Sequence, residues 1–389
     1  MSRLKALDLI RAHSRYRSST LNLIPSENVQ SPAVLRALAT DLAGRYSYRP
    51  RYYGGTRFID ELWGYAEELA RRLFRAEYVC LEPLSGHIAA LLTYIAFAKR
   101  GKLAAVAPDC GGYMGNAPDK LPDVIGAEVV YLPGDREALL PDPERSIEVI
   151  RAEKPDLVVL GGSYMLFPHP VRELSEAVHE YGGLLAYDGS HVLGLIAGGV
   201  FQDPLREGAD ILFASTHKTL PGPQGGLILT NSEELYRRLF ENIFHKIADN
   251  IHFNKIAALA VCFEEMLRYG RRYAGKIVEN AYELARNLDA LGVPVKARER
   301  GFTKSHQTIL DIPDREARIS IRDRLESCGI ISDADLRFGV AEITRRGMGK
   351  REMAMVARLI KRALDNEDPR KVRKSVQRLV RRFRKVKFC

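Results

Sequence analysis

Leu184-Leu185-Ala186-Tyr187-Asp188-Gly189-Ser190-His191 and, further on, Ser215-Thr216-His217-Lys218-Thr219 decide how this chain is read. Each stretch is the polar end of a short apolar run or the turn that follows one. Similar runs occupy residues 103–107, 129–132, 157–160, 184–187, 211–214 and 227–230, several bounded by Gly or Pro. Uninterrupted apolar runs of this length suit strands buried on both faces. Amphipathic stretches such as 142–153 and 171–181 lie between them and suit covering helices. The alternation predicts a parallel or mixed α/β sheet from about 75 to 230. Beyond 231 the texture changes to helices at 232–244, 254–269 and 273–291, with Gly292 as a stop signal. A smaller α+β part follows, with a strand at 308–312 and helices at Arg315–Ser327 and 350–366. The expected division is an N-terminal helix and arm (1–45), a large α/β domain (46–235), a small α+β domain with linking helices (236–369) and a basic C-terminal helix (370–389).

In open α/β sheets, ligands bind just beyond the carboxyl ends of the strands. Asp188 and Lys218 both hold such positions. A carboxylate and an amine at adjacent strand ends are what pyridoxal 5'-phosphate requires: the amine condenses with the aldehyde, and the carboxylate keeps the pyridine nitrogen protonated. His191 is placed to stack on the ring or to orient Asp188. Upstream, Pro83-Leu84-Ser85-Gly86-His87 opens the helical stretch 88–98. A small-residue turn at a helix N-terminus offers backbone N–H groups to a phosphate. Ser85 and the amides of Gly86 and His87 would form that cup, with Thr216 closing it. Taken singly, these are a turn residue, a solvated lysine and a helix cap. Their order and spacing together make the cofactor reading.

Composition narrows the classes. With 46% hydrophobic and 28% charged residues, the 389-residue chain is an ordinary globular protein. Its net charge of +10 resides in residues 370–389, which hold ten Lys or Arg and no acid. Val372, Val376, Leu379, Val380, Phe383 and Val386 are interleaved among those cations at helical spacing. This amphipathic basic helix either packs on the body with solvated charges or meets an anionic partner such as RNA or a membrane surface. Cys80, Cys110, Cys262, Cys328 and Cys389 show no paired spacing, which excludes cysteine-based metal motifs and reads as reduced thiols in a cytoplasmic protein. No metal site is expected. No apolar stretch approaches a membrane span. Arg3, Lys5, Asp8, Arg11, Arg15 and Arg17 interrupt the first twenty residues, so an amphipathic helix is expected there rather than a secretory signal; the Arg- and Ser-rich composition also faintly resembles an organelle transit peptide.

Several motifs, in order along about residues 20 to 365, resemble the serine hydroxymethyltransferase family. They are Leu23-Ile24-Pro25-Ser26-Glu27-Asn28, Arg51-Tyr52-Tyr53-Gly54-Gly55, the run from Ser215 through Lys218 to Gly226, Leu336-Arg337-Phe338-Gly339 and Ile343-Thr344-Arg345-Arg346-Gly347. Gly161-Gly162-Ser163, Phe167-Pro168-His169-Pro170 and the run from Asp188 to Gly198 resemble its archaeal branch. The resemblance implies a fold-type-I pyridoxal-phosphate enzyme, aspartate-aminotransferase-like in its large domain, and a homodimer with shared active sites. It implies Lys218 as the Schiff-base lysine, Asp188 as the partner of the pyridine nitrogen, and His191 and His217 flanking the cofactor. Ser163 falls in the cofactor-binding set. Arg337 would bind the substrate carboxylate through its planar fork, with Ser26 close by. Tyr46 and Tyr53 would cross the dimer interface, to the phosphate and to the reacting centre.

Four departures from the family pattern bear on chemistry. The family's Tyr-Ala-Glu-Gly segment is replaced by Tyr46-Ser47-Tyr48-Arg49-Pro50-Arg51, three residues shorter and without the glutamate, and no acid lies between Asp41 and Asp60. A histidine that stacks on the cofactor is replaced by Tyr113, whose ring also stacks. Phe244-His245-Lys246-Ile247 replaces a Phe-Pro-Gly-Gly loop, with Lys246 as a substitute charge. The long loop before the carboxylate arginine shrinks to Ser332-Asp333-Ala334-Asp335-Leu336. Three of these changes lie where a one-carbon carrier would sit or react. The expectation is serine–glycine interconversion by Cα–Cβ cleavage, with transfer to tetrahydrofolate or a modified archaeal pterin. The alternatives are carrier-free aldol cleavage of threonine-like substrates, another reaction of the same cofactor such as transamination, or a non-catalytic member that binds an anionic partner through the tail.

Overall fold

The structure, a computed structural model, describes residues 4–243 and 246–389. Phe244 and His245 of the substituted loop, and Arg3, lie outside the described residues. The chain forms two compact units, residues 30–275 and residues 1–29 together with 276–388.

The unit 30–275 is built on a seven-stranded sheet. Its strand order is Tyr78–Cys80, Gly226–Thr230, Ile211–Ser215, Leu184–Asp188, Leu157–Gly161, Lys102–Val106 and Glu128–Leu132. Gly226–Thr230 runs antiparallel to both neighbours and the remaining pairings are parallel. The apolar runs quoted above coincide with six of these strands to within a residue. Strands 157–161, 211–215 and 226–230 are buried along their whole length. That burial is why their sequences show no alternation. Asp142 caps Pro143–Glu153 by accepting from Arg145 N at 3.1 Å, and Ser85 caps Gly86–Phe97 by accepting from Ile88 N at 3.2 Å. Register brings Asp188 level with Gly161 on one side and Phe213 on the other. Gly161 has φ +88°, and a Cβ there would fall 2.2 Å from the Asp188 carbonyl, so this contact requires glycine.

One expectation changes. Residues 254–269 and 273–291 form a single 38-residue helix, Phe253–Ala290, which runs unbroken through Gly270. A lone glycine costs a helix only about 1 kcal/mol. The residue that must be small is Gly198, where a Cβ would lie 2.8 Å from Gly270 O and 2.4 Å from Ala274 Cβ. The turn at 198 therefore seats directly on the helix. The stop at Gly292, φ +73°, is as the sequence indicates.

In the other unit, Leu21–Asn22 pairs in parallel with Ile330–Ile331, and Gln307–Ile309 pairs antiparallel with Arg337–Gly339. Arg315–Ser327 and Lys350–Leu364 form as expected, and the basic tail forms the helix Pro369–Arg381. Val372, Val376, Leu379 and Val380 are buried against the two preceding helices, while Lys371, Arg373, Lys374, Arg378 and Arg381 stay exposed. Lys387 N donates to Arg345 O at 2.7 Å, and the fully buried Arg345 donates to Phe388 O at 3.1 Å. The tail is thus part of the fold of its unit. The N-terminal helix Lys5–Arg17 buries none of its residues. Among the described residues no helix is long and apolar enough to cross a membrane, and all five cysteines are free thiols.

Candidate active site

Three segments of the unit 30–275 converge beyond the strand ends. Asp188 closes its strand and is almost wholly buried; its Oδ1 accepts from Ser190 N at 2.9 Å. Burial pushes this carboxyl up from its ordinary value, while the Lys218 charge and the Ser190 hydrogen bonds pull it down. Ser190 Oγ accepts from Ser215 N at 3.0 Å, which locks the turn after Asp188 to the end of the neighbouring strand. The third segment is the capped helix start. A Cβ at Gly86 would lie 2.8 Å from Ser215 N, so the first helical residue rests on the strand end with no room for a side chain.

Lys218 stands in a loop pinned on both sides. Thr216 Oγ1 donates to Pro223 O at 2.7 Å, and Thr216 N to Gly225 O at 3.1 Å. Thr219 Oγ1 donates to His191 O at 2.8 Å and accepts from Gly194 N at 3.0 Å. His191 is buried; His217 and Lys218 are half-buried. Tyr113 hydroxyl lies 2.9 Å from His87 Nδ1, joining the two rings edge to face. Burial, then the Asp188 charge, raises the Tyr113 phenol, so ring and carboxylate share one neighbourhood. Ser163 N donates to Gly111 O at 2.9 Å, which places it beside the Tyr113 loop.

Elsewhere in this unit, Tyr46 and Tyr53 pack together at 5.7 Å between centroids, and both stay exposed. Their segment is anchored to the helix Arg57–Phe74. Arg49 pairs with Glu67 at 2.9 Å and lies 3.9 Å over the Trp63 ring, and Ser47 hydroxyl bonds Asp60. Lys246 is exposed, 3.4 Å from Asn242 Oδ1.

In the unit that includes the C-terminal part, Arg337 follows Leu336, which takes the left-handed φ of +53° that a leucine rarely adopts. The shortened loop supplies its partner: Asp333 accepts from Arg337 N at 3.0 Å and from Nε at 2.8 Å. Pro25 packs so closely on Gly339 that a Cβ there would fall 2.3 Å away, which brings half-buried Ser26 to the same strand.

The residue missed by sequence reading is Lys255. It is 4% exposed, and its ammonium donates to Leu81 O, Glu82 O and Pro83 O at 2.6, 3.0 and 2.9 Å. Its position at the head of the apolar run 256–263 was the available signal. Its partners, more than 170 residues away in sequence, were not.

Among the described residues no His, Cys, Asp and Glu group could hold a metal ion. The site instead fits an anionic aromatic aldehyde. Gly86 and His87 keep amides without intrahelical acceptors, Ser215 Oγ is buried without a hydrogen-bond partner, and a carboxylate and an amine face each other electrostatically. Such an arrangement at the ends of a mostly parallel sheet defines the fold-type-I pyridoxal-phosphate transferases. The crystal structure of L-threonine transaldolase from Pseudomonas fluorescens in its internal aldimine state is similar, with a TM-score of 0.91 and 28% identity, covering 97% of this chain and 91% of that one.

Within that class the chain belongs to the serine hydroxymethyltransferase family. The model of that family matches residues 3–360. The serine hydroxymethyltransferase of Korarchaeum cryptofilum is 40% identical over 409 residues, covering 97% of this chain and 94% of that protein. That of Methanothermobacter thermautotrophicus is 42% identical over 386 residues, covering 94% and 91%.

Proposed function

We propose that this protein interconverts serine and glycine by Cα–Cβ cleavage, with one-carbon transfer to a tetrahydropterin. The observation that carries the reading is the convergence of Asp188, the Lys218 loop and the open helix start at 85–87, in a member of this family. Lys218 would hold pyridoxal phosphate, which would supply an electron sink for cleavage at the amino acid's Cα. The chain's own residues do the rest. Asp188, as a carboxylate, would hold a proton on the ring nitrogen, the pyridinium charge offsetting the burial that otherwise raises this carboxyl. The amides of Gly86 and His87, with Ser85, Tyr46 and Thr216, cradle the phosphate. The Thr216 hydroxyl proton is committed to Pro223 O, so its contribution is to fix the loop that closes the cup. Tyr113 would stack on the ring, His191 would stack on it or orient Asp188, and Ser163 and His217 would border the site. Arg337 takes the substrate carboxylate on its terminal nitrogens while Asp333 fixes its Nε edge, and Ser26 adds a polar contact. With the family's glutamate absent, the proton at the β-hydroxyl would fall to Tyr53, His191 or a water.

Exposed apolar side chains support a homodimer with shared sites. Leu4, Leu9 and Ile10, at the start and along the N-terminal helix, are each about 60% exposed, and Tyr52 is 80% exposed beside Tyr53. Surfaces of this kind mark interfaces. The compartment that suits five free thiols is the cytoplasm.

A second reading, carrier-free cleavage of threonine or allo-threonine, is favoured by the segment 46–51, which holds no carboxylate, and by the threonine transaldolase likeness. Serine labelled with carbon-13 at Cβ separates the two. Label appearing in the pterin supports hydroxymethyl transfer. Label that never leaves serine, with threonine cleaved instead, supports the aldolase. The tail's exposed cations would give an anion-binding surface, tested by reversing Lys374 and Arg378 and titrating RNA at several salt concentrations. Truncation after Pro369 is the poorer test, because it also removes the buried valines.

A further inference from the structure

Lysine is among the residues least often buried, and an ammonium taken from water requires all three of its N–H donors to be satisfied. Lys255 meets that condition with three consecutive carbonyls, Leu81, Glu82 and Pro83, at 2.6 to 3.0 Å. They belong to the segment that leaves the strand Tyr78–Cys80 and ends, two residues later, in Ser85 and the amides of Gly86 and His87. Pro83 O also accepts from Gly226 N at 2.8 Å. The lysine stem lies under Gly225, where a Cβ would fall 2.9 Å from Lys255 Cδ and 3.0 Å from Thr216 Oγ1. One side chain therefore touches both walls of the phosphate cup: the segment before the helix, and the glycine loop that holds Thr216.

Helix packing does not account for this arrangement. A Leu or Met in its place would fill the space without the desolvation that draws the ammonium down to about 8 against the pull of Glu82 and Cys80. In a trans peptide the C=O and N–H point in opposite directions, so the carbonyls of Leu81 and Pro83, turned toward the ammonium, leave the N–H groups of Glu82 and Leu84 facing away from it. A buried cation behind the cup also adds positive potential for a dianion in front of it.

We propose that Lys255 is a positioning residue for the cofactor phosphate, setting the amides of 85–87 and the loop 222–226 as one rigid anion site. The proposal rests on the reading of 85–87 as the phosphate cup. Its test compares two ligands on the full-length protein stripped of cofactor: pyridoxal 5'-phosphate and pyridoxal, which lacks the phosphate, with binding followed by absorbance and protein fluorescence. The wild type binds the phosphorylated form far more tightly. In Lys255→Met that preference falls tenfold or more while pyridoxal affinity is unchanged. Lys255→Gln, which keeps two N–H donors, falls between. If Lys255→Met weakened both ligands equally, or neither, Lys255 would be a packing residue and the proposal would fail. Should the Met variant not fold, the Gln variant carries the same comparison. Absence of phosphate preference in the wild type itself would instead refute the cup, a separate failure.

Discussion

The ends of the central strands and the segment 46–53 belong to one unit and contrast in how they are held. At the strand ends, every key residue is tied to backbone: Asp188 through Ser190, the Lys218 loop through Thr216 and Thr219, the helix start through Ser215. In the segment 46–53, Arg49 and Ser47 are anchored, but Tyr46, Tyr52 and Tyr53 stay exposed, their rings packed on one another. The strand-end residues are thus held within one chain. The aromatic segment instead leaves its rings exposed, as the proposed homodimer would require.

Four substitutions would break or sharpen that contrast. The largest effect belongs to Lys218→Ala, which removes the visible absorbance of lysine-bound cofactor altogether; retained absorbance would mean another lysine carries it. Asp188→Asn lowers the turnover rate by about 10²–10³, the weight of one preorganised charge interaction. Its effect on stability has the opposite sign. The Asp188 carboxyl is raised in the fold, so its protonated form is favoured there; that contribution is present below the unfolded value of 3.8 and lost as pH rises through the folded one. At neutral pH the cofactor-free protein therefore carries a buried charge that Asn removes. Thermal melts of stripped protein should show the Asn variant more stable at pH 8, with the gap closing toward pH 4. A less stable Asn variant at pH 8 would contradict the burial argument.

Arg337→Ala raises the serine KM by about 10–100-fold, the loss of one or two charge-assisted hydrogen bonds, with the cofactor spectrum unchanged. An unchanged KM would remove it from the carboxylate site. The gentlest test concerns the exposed segment. Lys218→Ala and Tyr53→Ala proteins, each inactive, are unfolded and refolded together. Shared sites give mixed dimers with one intact centre, and activity recovers to about a quarter of wild type, since half the dimers are mixed. No recovery would mean each chain uses its own Tyr53.

How much of this was legible follows the same division. Strands 157–161, 184–188 and 211–215 are buried along all or nearly all of their length, so local composition alone announced them, and with them the positions of Asp188 and Lys218. Gly270 misled, because a glycine is a local breaker signal, whereas the packing that keeps Phe253–Ala290 continuous is tertiary. Lys255 stayed hidden for the same reason: a lysine in an apolar helix ordinarily extends its charge to water, and only tertiary structure turns it toward residues 81–83. The tail was half legible. Its valines and cations were visible in sequence, but the seat that buries Val372 and Val376 was not.

The central claim is that a member of this family with no glutamate in 46–53 still transfers a one-carbon unit. The direct measurement is glycine formation by the cofactor-loaded protein from serine, and separately from threonine and allo-threonine, with and without a tetrahydropterin. Glycine from serine that depends on the carrier is the expected result. Glycine from the threonines alone, at a rate indifferent to carrier, would contradict it and leave an aldolase built on the same site.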